Sequence, residues 1–153
     1  VQVKWPNDVL VDGRKIAGIL VESLLAGATT PVALVVGVGV NLRSQAFPPD
    51  VAPRAVALAQ LAEAAPTRAL LLVDLLSALE HLVPLVAGRS LAPLLPRFAA
   101  VDALAGKLVT SEQGRGTAEG IDDEGRLLVR DDAGILRRWS AGEVHIGAGA
   151  TQP

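Results

Sequence analysis

The alternation of apolar and polar residues changes period twice along the chain. Residues 1–42 carry the two-residue period of strands and are punctuated by turn dipeptides. This predicts strands at Val1–Trp5, Val9–Val11, Lys15–Glu22 and Val32–Val40, with turns at Pro6-Asn7 and Asp12-Gly13. The last two strands are apolar at successive positions, as in strands covered on both faces. A covered sheet of the α+β or α/β kind follows, rather than an open antiparallel one.

After a loop from Gln45 to Pro53 the period lengthens, predicting a short helix over Arg54–Ala64. Thr67 is the expected N-cap of a second helix, with an apolar stripe Leu71, Leu75, Leu79, Leu82, Val86. Pro84 kinks or shortens that helix, Gly88 stops it, and Ser90 caps a further one distorted by Pro96. From Gly106 the short period returns in five strands: Lys107–Ser111, Gly116–Ile121, Arg126–Arg130, Ile135–Trp139 and Val144–Ile146. Asp123-Glu124-Gly125 and Asp132-Ala133-Gly134 mark hairpins between them. These strands suit a small SH3-like barrel, with the boundary near Asp102–Gly106 and a frayed tail over Gly147–Pro153.

Composition removes several function classes. Fourteen Lys+Arg against 16 Asp+Glu, with no basic block longer than Arg137–Arg138, make nucleic acid an unexpected partner. With no Cys there is no thiolate metal site and no cysteine nucleophile, and a reducing, cytoplasmic setting is expected. The only histidines, His81 and His145, are a poor start for a metal site or a Ser-His-Asp triad, and the sequence singles out no metal ligand. The longest uncharged apolar run, Val32–Val40, is nine residues, so no membrane partner is expected. The chain has no Met and its richest motif starts at residue 4, so it is expected to be the C-terminal part of something longer.

The Asp12-Gly13 hairpin brings two charges together. A two-residue turn pairs Val11 with Arg14, Leu10 with Lys15 and Asp8 with Ala17, placing Asp8 and Lys15 on one face as diagonal neighbours with Cβ atoms about 7 Å apart. A plain cross-strand salt bridge is the alternative. Lysine usage favours chemistry: of 14 basic residues only Lys4, Lys15 and Lys107 are Lys, and two of these fall within the first 15 positions. Gly37 and Gly39 interrupt a bulky strand that ends at Asn41, which marks close approach of a ligand or of a neighbouring helix. Gly18 is open to the same two readings, and Trp5 has the parity of a core residue.

Together, Lys4-Trp5-Pro6-Asn7-Asp8, the run Asp12–Leu20 and Gly37-Val38-Gly39-Val40-Asn41 resemble the second half of the catalytic domain of biotin–protein ligases. Gly116–Leu127 resembles a segment of that family's C-terminal domain. The resemblance covers nearly the whole chain but not the family's upstream half, with its Gly/Arg-rich loop. It implies an α+β fold: a mixed sheet flanked by helices, class II synthetase-like and N-terminally incomplete, over residues 1–103. An SH3-like barrel over 104–147 and a disordered tail over 148–153 complete it.

The implied chemistry is ATP-dependent activation of biotin as biotinyl-5′-AMP, then transfer to a lysine of a biotin carboxyl carrier protein. Carried over by position, Lys15 and Asp8 are catalytic: Lys15 reaches the reacting oxygens and Asp8 orients the incoming amine. Lys15, Gly18 and Leu20 match biotin-binding positions; Asn7, Gly37, Gly39, Asn41 and Lys4 match the nucleotide side, with Mg²⁺ expected beside the phosphates. Strand parity sets Gly18 on the face opposite Lys15 unless a bulge intervenes. A homodimer through the sheet is a further expectation. The rivals are a lipoate–protein ligase, which shares the adenylation chemistry, and a non-catalytic carrier-binding module.

Overall fold

The computed structural model describes residues 1–26, 30–43, 46–86 and 90–147. The expected helix stop at Gly88, the start of the loop at Gln45 and the tail over 148–153 lie outside the described residues. Nine strands are described: β1 (Gln2–Lys4), β2 (Asp8–Val11), β3 (Arg14–Ala26), β4 (Thr30–Val40), β5 (Leu108–Ser111), β6 (Gly114–Ile121), β7 (Leu127–Arg130), β8 (Leu136–Trp139) and β9 (His145–Ile146). The helices are α1 (Arg68–Leu82) and α2 (Leu95–Ala99), with short 3₁₀ turns between elements. The class is α+β, with two sheets and few helices. By contact the chain forms two units, one of Val1 with Asn7–Ala65, the other of Gln2–Pro6 with the residues from Pro66 onward.

In the first unit β2, β3 and β4 follow one another in an antiparallel ladder. Its parallel component is a single bridge between Lys15 and Ala55. Leu10, Ile16, Ala55, Val56 and Ala57 are its buried residues. The helix expected over Arg54–Ala64 does not form; 3₁₀ turns at Ala52–Arg54 and Leu58–Gln60 flank an extended stretch. The backbone donors a helix would use are committed to the sheet: Val56 N–H donates to the Lys15 carbonyl (3.0 Å) and Leu58 N–H to that of Asn41 (2.7 Å). Tertiary hydrogen bonding overrides local propensity here. The outer halves of β3 and β4 are apolar yet open on both faces, with Leu20 60%, Val21 54%, Leu34 65% and Val35 49% exposed.

In the second unit Thr67 caps α1 as expected, its Oγ1 accepting from Leu70 N–H at 3.3 Å. α1 ends at Leu82, ahead of Pro84, and continues as a 3₁₀ turn over Val83–Val86. The 19-residue stretch Arg68–Val86, with an 18-residue window of mean hydropathy 1.9, is long and apolar enough to cross a membrane, which counting uninterrupted apolar runs failed to register. Its α-helical and 3₁₀ parts together rise about 30 Å, the thickness of a hydrocarbon layer. Against a span stands the acidic Asp74, since a central acidic residue costs about 2.5–3.5 kcal/mol in lipid.

The five-stranded antiparallel sheet of this unit runs β8-β7-β6-β5-β9, open between its outer strands and consistent with an SH3-like domain. Gly116 and Ala118 on β6, and Leu127 and Val129 on β7, turn inward at alternate positions. Around them Leu104, Val109, Trp139 and Val144 complete a core that also contains Trp5, 5% exposed, from just beyond β1. The Trp5 indole N–H donates to the Gly125 carbonyl at 2.9 Å. β1 is held to the same unit by Val3 N–H to the Val101 carbonyl and Ala103 N–H to the Val3 carbonyl. Trp5 is thus a core residue as its parity predicted, but of the C-terminal sheet.

Candidate active site

Asp12 and Gly13 both have positive φ (49° and 74°), the two-residue turn whose twist matches that of its strands. Val11 therefore faces Arg14, and Leu10 faces Lys15. Beyond this point the expected register fails by one residue. A bulge opposite Val9 and Leu10 leaves Ile16 without a partner, so Asp8 faces Gly18 rather than Ala17. The bulge inserts Ile16 into the small core (7% exposed) and reverses the parity of everything after it on β3. Lys15 and Gly18 come to the same face, and the Lys15 ammonium lies 2.5 Å from Asp8 Oδ1.

Lys15 is fixed through its backbone. Its carbonyl accepts from Val56 N–H (3.0 Å) and from Asn41 Nδ2 (3.3 Å); Asn41 Nδ2 also donates to the Val56 carbonyl (3.2 Å). The Asn41 backbone N–H donates to the Ile16 carbonyl at 2.8 Å. Asn41 thus closes β4 onto the bulge, and its amide engages protein backbone. The buried run Ala55-Val56-Ala57 gives Lys15 its third neighbour, a role that the sequence reading missed. Its signal was a short small-apolar run after Pro53, read as helix.

Lys15 and its neighbours border an open hollow of about 560 Å³, within the size range of small-molecule sites. Gly18 faces Gly39 across the β3–β4 ladder, and Leu20 faces Gly37. The floor is therefore largely backbone, with the Lys15 charge at one end and Leu20 at the other; Asn7 borders it, as do Ile19 and Val38. Of the residues singled out in the sequence, Asn7, Lys15, Gly18, Leu20, Gly37 and Gly39 line the hollow, and Asp8 reaches it through Lys15. Asn41 supports the site without lining it, and Lys4 lies on β1 in the other unit.

The Lys15 side chain is 48% exposed, so its pair with Asp8 contributes only about 0–1 kcal/mol to stability. What the pair accomplishes is placement: a point positive charge and a carboxylate above a backbone floor. Among the described residues no three His, Asp or Glu side chains gather to hold a metal. Asp8, the carboxylate beside the hollow, is already engaged by Lys15. These residues do not make a Mg²⁺ site by themselves, and no step below passes through the ion.

Residues 1–41 match the model of the Biotin/lipoate A/B protein ligase family, and residues 107–147 match the Biotin protein ligase C terminal domain. Every residue that lines the hollow falls within the stretch that matches the class of biotin/lipoate protein ligases. The chain is 33% identical over 151 residues to the bifunctional ligase/repressor BirA of Escherichia coli, covering 95% of this chain and 46% of that protein. It is 38% identical over 152 residues to the biotin--[acetyl-CoA-carboxylase] ligase of Mycobacterium tuberculosis, covering 93% and 52%. The apo structure of biotin protein ligase from Aquifex aeolicus superposes with a TM-score of 0.81 at 22% identity, covering 95% of this chain and 65% of that one. Within the class the chain is similar to the biotin protein ligases over nearly its whole length. It spans about half the length of the curated relatives it matches.

Proposed function

We propose that this chain carries the lysine-bearing part of the site of an ATP-dependent biotin–protein ligase. The observation that carries the reading is the Lys15–Asp8 pair at one end of a glycine floor. In the first step a carboxylate oxygen of biotin attacks the α-phosphorus of ATP, forming biotinyl-5′-AMP and releasing pyrophosphate. Two anions must approach each other, and the Lys15 ammonium lowers that barrier by neutralising charge on the reacting oxygens. A floor without side chains at Gly37 and Gly39 lets the adenylate lie against the strands. In the second step the amine of a carrier-protein lysine attacks the biotinyl carbonyl and AMP leaves. Asp8 accepts a hydrogen bond from that amine and takes up its proton as the C–N bond forms. No protein nucleophile is required, in keeping with a chain that has no Cys.

The match of residues 107–147 to a C-terminal domain named for biotin ligases favours biotin over lipoate. A structural neighbour crystallised with biotin and ATP supports the same substrates. The proposed partner is a biotin carboxyl carrier domain and the proposed setting is the cytoplasm. We assign full activity to this chain together with the further length that its relatives possess. The test is incorporation of labelled biotin into a carrier domain, with and without ATP, by the 153-residue chain and by the chain extended to its relatives' length. ATP-dependent labelling by the longer form, lost in Lys15→Ala by a factor of about 10² or more, is expected. Labelling that survives Lys15→Ala, or none by either form, overturns the reading.

A further inference from the structure

Gly18 lies directly beneath the end of the Lys15 side chain. A Cβ built on Gly18 would stand 3.0 Å from Lys15 Nζ, 3.1 Å from its Cε and 3.7 Å from Asp8 Oδ1. At the other two glycines of the floor the surroundings differ: a Cβ on Gly37 or Gly39 would meet only neighbouring backbone and the Leu20 Cβ, at ordinary distances of 3.6 Å or more. The ammonium therefore occupies the volume of a side chain that Gly18 lacks. The bulge at Ile16 is what brings Lys15 and Gly18 to one face, and the ladder sets Asp8 opposite Gly18. These facts converge on one cross-strand row.

We propose that Gly18 is a positioning residue: its missing side chain is the space through which the Lys15 ammonium reaches Asp8, fixing where that charge stands over the floor. This rests on the function proposed above, and it separates Gly18 from Gly37 and Gly39, whose missing side chains leave room for ligand. The backbone at Gly18 is ordinary strand, outside the left-handed region, so alanine is conformationally acceptable there. What must give way is the far end of a flexible lysine, which moves at little cost to the fold. Gly18→Ala should therefore displace a charge without unfolding the unit.

Two measurements test this. The first uses the 153-residue chain and needs no activity: the rate of acetylation of Lys15 by a small anhydride, read by mass spectrometry against Lys107 in the same molecule. Asp8→Asn frees the ammonium and should raise the ratio several-fold. Gly18→Ala should raise it similarly, and should add nothing in the Asp8→Asn background. The second is biotin-dependent pyrophosphate exchange in whichever form is active. Gly18→Ala should lower turnover about tenfold, as a small misplacement of a reacting group does, with an unchanged melting temperature and no further loss in the Lys15→Ala background. A Gly18→Ala loss that persists without Lys15 would make Gly18 a ligand contact and overturn the proposal. So would an unchanged acetylation ratio. Absence of exchange by the wild type would instead remove the proposed function and leave the acetylation result to decide Gly18 alone.

Discussion

Lys15 is fixed at its root and half exposed at its tip. Its carbonyl is held by Val56 and Asn41, while its ammonium is half exposed. A charge that meets a reacting carboxylate needs both properties: a fixed origin, and a flexible stem that follows the substrate through two steps. Asn41→Ala removes two side-chain hydrogen bonds from that root, with an expected loss of about 1–2 kcal/mol in denaturant unfolding. Under the proposed function turnover falls as well while the Michaelis constant for biotin holds. Asp8→Asn should slow transfer to the carrier more than adenylate formation; equal losses in single-turnover measurements of the two steps would assign Asp8 to the first step or to structure. The pairs Val11–Arg14 and Leu10–Lys15 were legible from spacing, because a two-residue turn leaves little freedom to its first two pairs. The register at Asp8 was not. A bulge is decided by where Ile16 can be buried, and that depends on Ala55–Ala57, some 40 residues away in the sequence.

Two hairpins in the C-terminal sheet are built by the same short device. The sequence repeats as Asp122-Asp123-Glu124-Gly125 and Asp131-Asp132-Ala133-Gly134. In each, the first Asp accepts from two backbone N–H groups across the turn, those of Glu124 and Arg126 for Asp122 and those of Ala133 and Ile135 for Asp131. The glycine supplies the left-handed residue, at φ 82° and 77°. The turns were visible in the sequence through their Asp-x-Gly ending. The aspartate that organises each one precedes that ending and was not picked out, because its function depends on side-chain geometry that spacing alone does not give. Arginines then bind the same carboxylates, Arg126 to Asp122 at 2.8 Å and Arg137 to Asp131 at 2.9 Å. The hydrogen bond from Arg137 lowers the pKa of Asp131, and that from Arg130 lowers the pKa of Glu119. At Asp122 partial burial works upward but is outweighed by hydrogen bonds from the Arg126 backbone and guanidinium, so its pKa too lies below 3.8. Carboxyls with lowered folded values stabilise the fold above their unfolded values and lose that contribution as pH falls through the folded ones. Melting of this sheet should therefore be flat from pH 7 to pH 5 and fall only below about pH 4. Asp122→Ala should cost about 1–2 kcal/mol at pH 7 and flatten part of that acid limb; an unaltered acid limb would show that the turn carboxylates do not govern it.

For the whole molecule, the open faces of β3 and β4 are the most consequential surface. β4 ends its sheet as an edge strand of 11 residues, with Leu34, Val35, Val36 and Val38 all at least 40% exposed. A long apolar edge is a template for pairing. Sedimentation of the 153-residue chain should show association that grows with concentration, and Leu34→Lys with Val36→Lys should shift it toward monomer. A chain that is monomeric at all concentrations would contradict this and the expected homodimer through the sheet. The sequence showed these strands to be apolar on both faces, but pattern alone could not show what covers them. It placed the start of the small sheet near Asp102–Gly106; the core of that sheet also takes in Trp5. A piece starting at Pro66 lacks the indole that fills the core and should melt well below the whole chain, since loss of a buried Trp costs about 3–5 kcal/mol. A peptide of residues 1–6 added in trans should restore part of the difference, and equal melting of the two would make Trp5 dispensable. That buried indole also imposes an order in time. Trp5 leaves the ribosome 134 residues ahead of Trp139, its partner in the same core, which at 5–20 residues per second is a delay on the order of ten seconds. β1 is thus made well before the sheet it joins, and until β8 is synthesised an unshielded tryptophan waits at the head of the motif.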